Sequence, residues 1–206
     1  VVHLKGKKTG ESIQNDVIRG GVLVVKADSE WKKSESQGDA SLDGVTYTIY
    51  NESAHPVIVD NKECQPGEEV ESIVTEWDDS RKAYVATTGT TDRAKMLPYG
   101  SYKIVETSVT TTNGYKKDGW EKHFTIDSEG QMVEFRDEGS GWNTDTVYRG
   151  KVIIGKVDRE TGLYTSLGAA HLDGTWFEII NRSDYIHPSN GTIHFKGRDY
   201  KTGEVI

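Results

Sequence analysis

The sequence has few of the features that reinforce or anchor a secreted chain. Its 206 residues include one cysteine, Cys64, so no disulfide can form within the chain and any covalent reinforcement must be of another kind. No apolar run approaches the ~18 residues needed to span a bilayer, so we expect no membrane insertion in this segment. No signal peptide is present, and the chain starts at Val1 and stops at Ile206 in mid-pattern. We therefore expect targeting segments to lie outside this stretch.

Positive charge is also scarce. The 25 Lys and Arg residues are outnumbered by 33 Asp and Glu, which gives a net charge of -8 and argues against nucleic acid as the main partner, since a phosphate backbone needs a basic face. The histidines show no ligand spacing, so neither a metal nor a cofactor is predicted. The sequence has no Gly-x-Ser-x-Gly motif, no P-loop and no carboxylate pair tied to a cleft, so it does not indicate an enzyme with turnover.

Apolar residues make up only 34% of the chain, which contains 22 glycines. This composition suits a thin β-sandwich better than a wide α/β core, and ten Tyr and five Trp supply large faces for burial. A β-branched run at 22–26 and alternating patterns at 45–50 and 101–107 predict strands, and no window predicts an amphipathic helix. The fold class expected from these patterns is all-β, an antiparallel β-sandwich. Shorter strands are expected at 124–126, 132–135 and 144–148, with strands and a surface loop between 69 and 90.

An internal repeat runs through the sequence. Residues 19–28 (RGGVLVVKAD) reappear 130 residues later as 149–158 (RGKVIIGKVD), and 42–51 (LDGVTYTIYN) return at the same spacing as 172–181 (LDGTWFEIIN). The pair His55-Pro56 returns as His187-Pro188 after a slip of two residues, and residues 1–20 resemble 132–150. Chance does not keep one register over three blocks, so we interpret the chain as part of a tandem array.

The repeat predicts the domain edges. Residues 1–19 are expected to form the closing hairpin of a preceding repeat, residues 20–149 one complete domain, and residues 150–206 the first part of the next domain. The neighbouring repeats of the same chain are therefore its expected partners.

Three charged residues fall in step with apolar strand positions: Lys26, Glu106 and Asp145. If these faces point inward, a lysine and two carboxyl groups enter an apolar core, where unpaired charges are expensive and paired ones are at best roughly neutral. The alternative is that the strand ends fray and the three groups are solvated, as charged residues usually are.

The sequence resembles a known family, the Cna B-type or SpaA-like domain of Gram-positive pilins and surface adhesins. The resemblance rests on VLVVKAD at 22–28, LDGVTY at 42–47, and LPYGSYKIVET at 97–107 followed by Gly114-Tyr115. It covers residues 20–149 and the start of the next copy. It implies an immunoglobulin-like or prealbumin-like sandwich in an extracellular, cell-wall-attached surface protein.

In that family the first-strand lysine joins an Asn or Asp of the last strand through an isopeptide bond, and a buried glutamate promotes the reaction. The resemblance assigns these roles to Lys26 and Glu106. An apolar site favours the neutral amine of a lysine and the protonated form of a carboxyl group, so the amine can attack and the carboxyl carbon is electrophilic. The glutamate shuttles the proton. The reaction occurs once per molecule and is not turnover.

The acceptor has two candidates. The repeat aligns Asn15 with Asp145, each five residues before a shared glycine, which favours Asp145 here and makes Asn15 a suitable acceptor in the preceding repeat. Asp137 is the alternative, because it closes a strand in step with Val133 and Phe135. Lys156 matches Lys26, and its own glutamate and acceptor would lie beyond residue 206.

The leading functional hypothesis is a stalk or pilin-like module stabilised by a self-formed Lys-Asp crosslink. A second hypothesis is an adhesin module whose region 63–93, with Trp77 and Tyr84, presents a surface to host extracellular matrix or glycans. A third is an accessory spacer within a larger surface carbohydrate-active enzyme.

Overall fold

The computed structural model describes residues 15–108, 114–184 and 189–206. These residues form fifteen β-strands and one short 3-10 turn, Arg93–Lys95, and none of their helices is long and apolar enough to cross a membrane. The strands are β1 Arg19–Asp28, β2 Thr46–Asn51, β3 Val57–Val59, β4 Lys62–Cys64, β5 Glu69–Val74, β6 Glu76–Asp78, β7 Ala83–Thr87, β8 Leu97–Pro98, β9 Gly100–Ser108, β10 Tyr115–Lys116, β11 Glu121–Ile126, β12 Met132–Phe135, β13 Asn143–Val147, β14 Ile193–Phe195 and β15 Arg198–Tyr200.

Two sheets enclose the core of the domain. One has the order β10-β13-β1-β7-β6, with β12 and β8 also paired to β1, and the other has the order β11-β9-β2-β5. Alternating residues of the facing strands, such as Val22 and Val24 of β1 and Tyr102 and Ile104 of β9, are fully buried in one apolar cluster. The all-β sandwich prediction is confirmed. Lys26 on β1 and Glu106 on β9 continue these alternations, so their side chains also lie in the core.

The strand β1 pairs in parallel with two strands, whereas the sequence predicted antiparallel pairing. β12 and β13 both run parallel to β1, with Val24 opposite Phe135 and Lys26 opposite Asn143. Parallel neighbours require a long connection, and here nearly the whole domain separates the first strand from the last. Residues 136–142 interrupt the last strand between its two halves.

The region 63–93 is largely built into the two sheets. β5 pairs with β2, and β7 pairs with β1. Tyr84 of β7 is buried, and its ring packs edge-on against that of the half-buried Trp77 at 5.1 Å between centroids. Tyr84 is therefore a core residue, and it does not present a binding surface as the second hypothesis expected.

Two local arrangements of the domain recur after residue 149. Asp28 Oδ1 accepts two backbone N–H bonds at 2.8 Å from the turn that follows it, and Asp158 Oδ1 accepts the equivalent pair at 2.9 Å. Asn51 Nδ2 donates to two backbone carbonyls at 3.0 Å, and Asn181 Nδ2 donates to two at 2.8 and 2.9 Å. Matched sequence blocks thus adopt matched turns.

Other parts of the predicted array either have no assigned strand or lie largely outside the described residues. Residues 151–179 have no assigned strand, and large apolar side chains there are exposed, Trp176 by 94%. Most of the closing hairpin predicted at 1–19 lies outside the described residues, as do His187 and Pro188. The division into repeats stays a prediction.

Candidate functional site

Three charged side chains meet in the core of the sandwich. Lys26 Nζ lies 2.6 Å from Asp145 Oδ1 and 3.2 Å from Glu106 Oε1, and all three side chains have zero solvent exposure. A buried lysine between two carboxyl groups is an unusual arrangement, because each charge loses its hydration and depends on the others for compensation. These are the residues that the sequence predicted would enter the core.

Strand alternation explains how each group arrives there. Lys26 is two and four residues beyond the buried Val24 and Val22 on β1, and Glu106 follows Tyr102 and Ile104 on β9 in the same way. Because alternate residues of a strand share a face, the lysine and the glutamate point inward from opposite sheets. The parallel pairing of β1 with β13 places Asp145 two positions beyond the residue opposite Lys26.

A neutral residue, Asn143, holds the glutamate and is itself bonded to Tyr47. Asn143 Nδ2 donates to Glu106 Oε2 at 2.8 Å and to Tyr47 OH at 3.0 Å, so one carboxyl oxygen of Glu106 faces the amide and the other faces Lys26. Both Asn143 and Tyr47 are fully buried. The sequence analysis missed Asn143, although it stands two residues before Asp145 on one strand face, and that alternation is the signal that could have identified it.

Aromatic rings close the site. Tyr47 packs edge-on against Trp120, and Trp120 packs edge-on against Phe135, each at 5.6 Å between centroids. Trp120 Nε1 donates to the Gly141 carbonyl at 2.9 Å, which fixes the indole over this end of the core. The rings keep bulk water away from the charged groups, and the low local dielectric strengthens every electrostatic interaction among them.

Burial raises the pKa values of two groups in the cluster, Asp145 and Tyr47. It raises the pKa of Asp145 from 3.8 to about 6, against the opposing effect of Lys26, and the nearby Glu106 carboxylate adds to the rise. Apart from the Lys26 contact, neither oxygen of Asp145 has a hydrogen-bond partner among the described residues, so little else stabilises its ionised form. Burial and the two carboxylates also raise the pKa of Tyr47 well above its usual value, so Tyr47 remains a neutral phenol.

The other predicted site residues lie elsewhere. Asp137 is exposed in the turn after β12, where its Oδ1 accepts bonds from Ser140 N at 2.8 Å and Ser140 Oγ at 2.9 Å, and these bonds lower its pKa. Asn15 is exposed. Lys156 is also exposed, and its Nζ donates to Thr175 Oγ1 at 2.7 Å. The structure thus brings Asp145 to Lys26 and leaves Asp137 outside the cluster.

The chemistry available to the cluster follows from its contacts. An amine nitrogen and a carboxyl group within 2.6 Å can hold an ion pair or condense, and a second carboxyl group 3.2 Å from the amine can move the proton. Among the described residues no group of three or more His, Cys, Asp or Glu side chains could hold a metal ion.

The fold and this cluster define a class of protein: the chain belongs to the SpaA family of prealbumin-like fold domains, whose family model matches residues 27–139, more than half of its length. No curated protein matches the chain. Solved structures that resemble it include the TIE protein of Bacillus anthracis (24% identity, 63% of this chain and 17% of that one, TM-score 0.40), the minor pilin of Streptococcus agalactiae (16%, 68% and 49%, 0.35) and a streptococcal ancillary pilin (16%, 93% and 60%, 0.37). The chain spans less than two thirds of each of these proteins.

Proposed function

We propose that this chain is a structural, load-bearing module of a Gram-positive cell-surface protein, and that Lys26 and Asp145 condense within it to form an isopeptide bond. The observation that carries the proposal is the fully buried contact of Lys26 Nζ with Asp145 and Glu106. Membership of the SpaA family supports it. Two of the similar structures are pilins, and a cell-wall-attached location is part of the proposal.

The bond-forming step balances without a co-reactant. A proton moves from the Lys26 ammonium to the Asp145 carboxylate through Glu106, which gives a neutral amine beside a neutral carboxyl group. Nζ then attacks Cγ of Asp145, a C–N bond forms, and a C–O bond breaks. Glu106 takes the proton from the attacking nitrogen and delivers it to the departing hydroxyl, so one water molecule leaves and Glu106 is regenerated. The step occurs once, and the module is not an enzyme with turnover.

The bond would reinforce the domain in two ways. By analogy with disulfides, closing a loop of ~100 residues removes roughly 4–5 kcal/mol of unfolded-state entropy. The bond also joins the first strand to the last, so a pulling force applied at the two ends passes through the crosslink and leaves the intervening chain without tension. This effect suits a stalk and replaces the disulfide that the single cysteine excludes.

The repeat supports a stalk of similar modules. The arginine that begins each copy of the 19–28 sequence block makes the same contact. Arg19 Nη2 donates to the Ile58 carbonyl at 3.0 Å and Arg149 Nη2 to the His194 carbonyl at 2.6 Å, each at the middle of a short hairpin strand. Neighbouring repeats of the same chain are the proposed partners.

One observation favours the second hypothesis, a binding module. A groove of about 630 Å³ opens on the outer face of the β1 sheet beside the region 63–93, with Trp142 among its apolar lining and Arg81 and Lys82 among its cations. Such a volume lies within the range of ligand sites. Binding to a glycan array that disappears in the Trp142→Ala variant, and persists in Trp176→Ala, would support this role, and an array with no signal would exclude glycans as its ligands. The structure offers no observation in favour of the enzyme-spacer hypothesis.

The intact mass of the folded chain tests the crosslink. We expect a mass about 18 Da below that of the sequence, equal to one lost water. Lys26→Ala and Glu106→Gln should both show the full mass, whereas the matched exposed controls Lys33→Ala and Glu138→Gln should keep the deficit. A wild-type chain of full mass would refute the proposal.

A further inference from the structure

We infer that the loop at 29–40 of the complete domain forms a fixed joint with residues 181–184 and 189–200 that follow, so that the two parts move as one body. Consecutive domains move relative to each other by default unless their interface is extensive. The joint would fix the orientation of one repeat on the next, whether or not the crosslink forms.

Gly38 lies at the centre of the joint. Its N–H donates to the Thr192 carbonyl at 2.7 Å, and its carbonyl accepts a bond from Ser189 Oγ at 2.6 Å. The backbone of Gly38 has φ +54, and a Cβ there would stand 2.9 Å from Ser183 Oγ and 3.0 Å from a methyl carbon of Ile193. The two segments therefore approach so closely that the joint requires glycine at this position.

Gln37 connects the joint to the strand that carries Lys26. Its Nε2 donates to Asp28 Oδ2 at 2.9 Å and Glu30 Oε2 at 2.8 Å, and its Oε1 accepts the His194 N–H at 3.0 Å. Gln37 is buried, and Asp28, the last residue of β1, is fully buried. Separation of the segments would break the hydrogen bond from the His194 N–H of β14 to Gln37 Oε1 and expose buried surface of Gln37 to water.

Three polar contacts surround this centre. Arg149 Nε donates to Glu30 Oε1 at 3.0 Å, while its Nη2 contacts both Glu30 and the carbonyl of β14. Trp31 Nε1 donates to Asp199 Oδ1 at 2.9 Å. The Asp184 N–H donates to Asp39 Oδ1 at 2.7 Å. Together with the bonds of Gly38 and Gln37, these contacts attach the loop to the following residues at several points, which restrains their relative motion.

The joint is particular to this pair of repeats. At the 130-residue spacing, Leu167 stands where Gln37 does and Thr161 where Trp31 does, whereas Gly168 corresponds to Gly38. The close backbone approach can therefore recur at a following joint, but the side-chain connections through glutamine and tryptophan cannot. The stiffness of the array would then be set separately at each joint.

Distance measurement between two spin labels tests the joint. We place one label at Glu121 on β11 and the other at Lys201, both exposed, with the buried Cys64 replaced by alanine in all samples. The inference predicts one narrow distance distribution for this parent chain, and a distribution widened by about twofold or more in Gln37→Ala. Gln65→Ala, an exposed glutamine far from the joint, should leave the distribution unchanged.

Two further variants keep the result interpretable. Ser189→Ala removes the bond to the Gly38 carbonyl, and Arg149→Ala removes the bonds to Glu30 and to the His194 carbonyl. Neither variant changes Gln37, so both should widen the distribution even if Gln37→Ala disturbs the domain itself. Lys26→Ala should leave it narrow, which separates this inference from the proposed crosslink. A broad distribution in the parent chain, or an unchanged one in both Ser189→Ala and Arg149→Ala, would overturn the fixed joint.

Discussion

Lys26 and Lys156 occupy the same place in two copies of one sequence motif, yet their surroundings differ completely. Lys26 is fully buried between two carboxyl groups, whereas Lys156 is exposed and bonds to a threonine hydroxyl. The strand of Lys26 is paired on both sides, by β7 and β13, and the segment of Lys156 has no assigned strand. The comparison shows that the motif only supplies an amine, and that the site is made by partners distant in the sequence.

The distances in sequence make this concrete. Glu106 lies 80 residues after Lys26, and Asp145 comes from the last strand of the domain. Burial of an amine at this position is stable only when both have arrived, because a lone buried charge is strongly unfavourable. We therefore expect perturbations within the cluster to have large effects and the same perturbations at residue 156 to have almost none.

Removal of the acceptor should produce the largest effect. Asp145→Ala leaves Lys26 without its closest partner, so we expect full sequence mass and a loss of stability of at least 3–5 kcal/mol in denaturant unfolding, the usual effect of breaking a buried ion pair. Asp145→Asn should restore a crosslink with release of ammonia, a deficit of about 17 Da. Asp137→Ala should keep the water deficit, and a full mass for that variant would show that Asp137 is the acceptor.

The rate of crosslinking should depend on pH. The pKa of Asp145 is raised from 3.8 to about 6 in the fold, so the carboxyl group that must lose its hydroxyl is protonated below about pH 6 and ionised above it. Because the folded state binds this proton more tightly than the unfolded chain, the uncrosslinked domain should also lose stability as the pH rises between these two values.

The rate of crosslinking can be measured on protein recovered from inclusion bodies and kept in denaturant, because this protein has never folded. Refolding it at a series of pH values and following the mass should give a rate that rises with pH by up to tenfold per unit below about pH 6 and levels off above it, because the ammonium–carboxylate pair and the neutral pair hold the same number of protons. A rate that falls steadily above about pH 6 would contradict the transfer of the ammonium proton to the Asp145 carboxylate.

Loss of Asn143 should have a moderate effect. Asn143→Ala removes the donor that holds Glu106 Oε2, worth ~1–1.5 kcal/mol, so we expect crosslinking about tenfold slower with the same final mass. Thr144→Ala, on the opposite face of the same strand, is the matched control and should leave the rate unchanged. If Asn143 only supported packing, its loss would lower stability without changing the rate of mass loss in the folded chain.

Substitution of Lys156 should have the smallest effect. Lys156→Ala removes an exposed side chain, so we expect an unchanged mass deficit and a stability within about 0.5 kcal/mol of the wild type. The unfolding midpoint in denaturant provides the comparison. A loss of stability similar to that of Lys26→Ala would show that the two copies are more alike than the structure indicates.

Much of the site could be predicted because strand alternation acts locally. The inward faces of Lys26 and Glu106 follow directly from their valine, tyrosine and isoleucine neighbours. The parallel pairing of β1 with β13 could not be predicted from pattern, since a strand carries no local mark of its partner's direction. Asn143 was missed because a neutral amide in a strand is not unusual by itself, and its bonds to Glu106 and Tyr47 depend on residues distant in the sequence.

The region 63–93 matches its prediction in part: the strands expected between 69 and 90 are confirmed, whereas Tyr84, expected on a binding surface, is buried. Its mixture of charged and threonine residues resembles a surface loop, but long-range pairing with β2 and β1 makes it part of both sheets. Tertiary pairing here overrides the local polarity of the sequence.

The aromatic closure of the cluster has a consequence for chemical equilibrium. Amide formation and amide hydrolysis are the two directions of one reaction, and in open solution the abundance of water favours hydrolysis. Beneath Tyr47 and Trp120 the reacting groups have zero exposure, so the unjoined amine and carboxyl group would lack hydration, which favours the neutral amide over the charged pair. Exclusion of water from the amide carbon would also slow hydrolysis, so that a single reaction lasts for the lifetime of the protein.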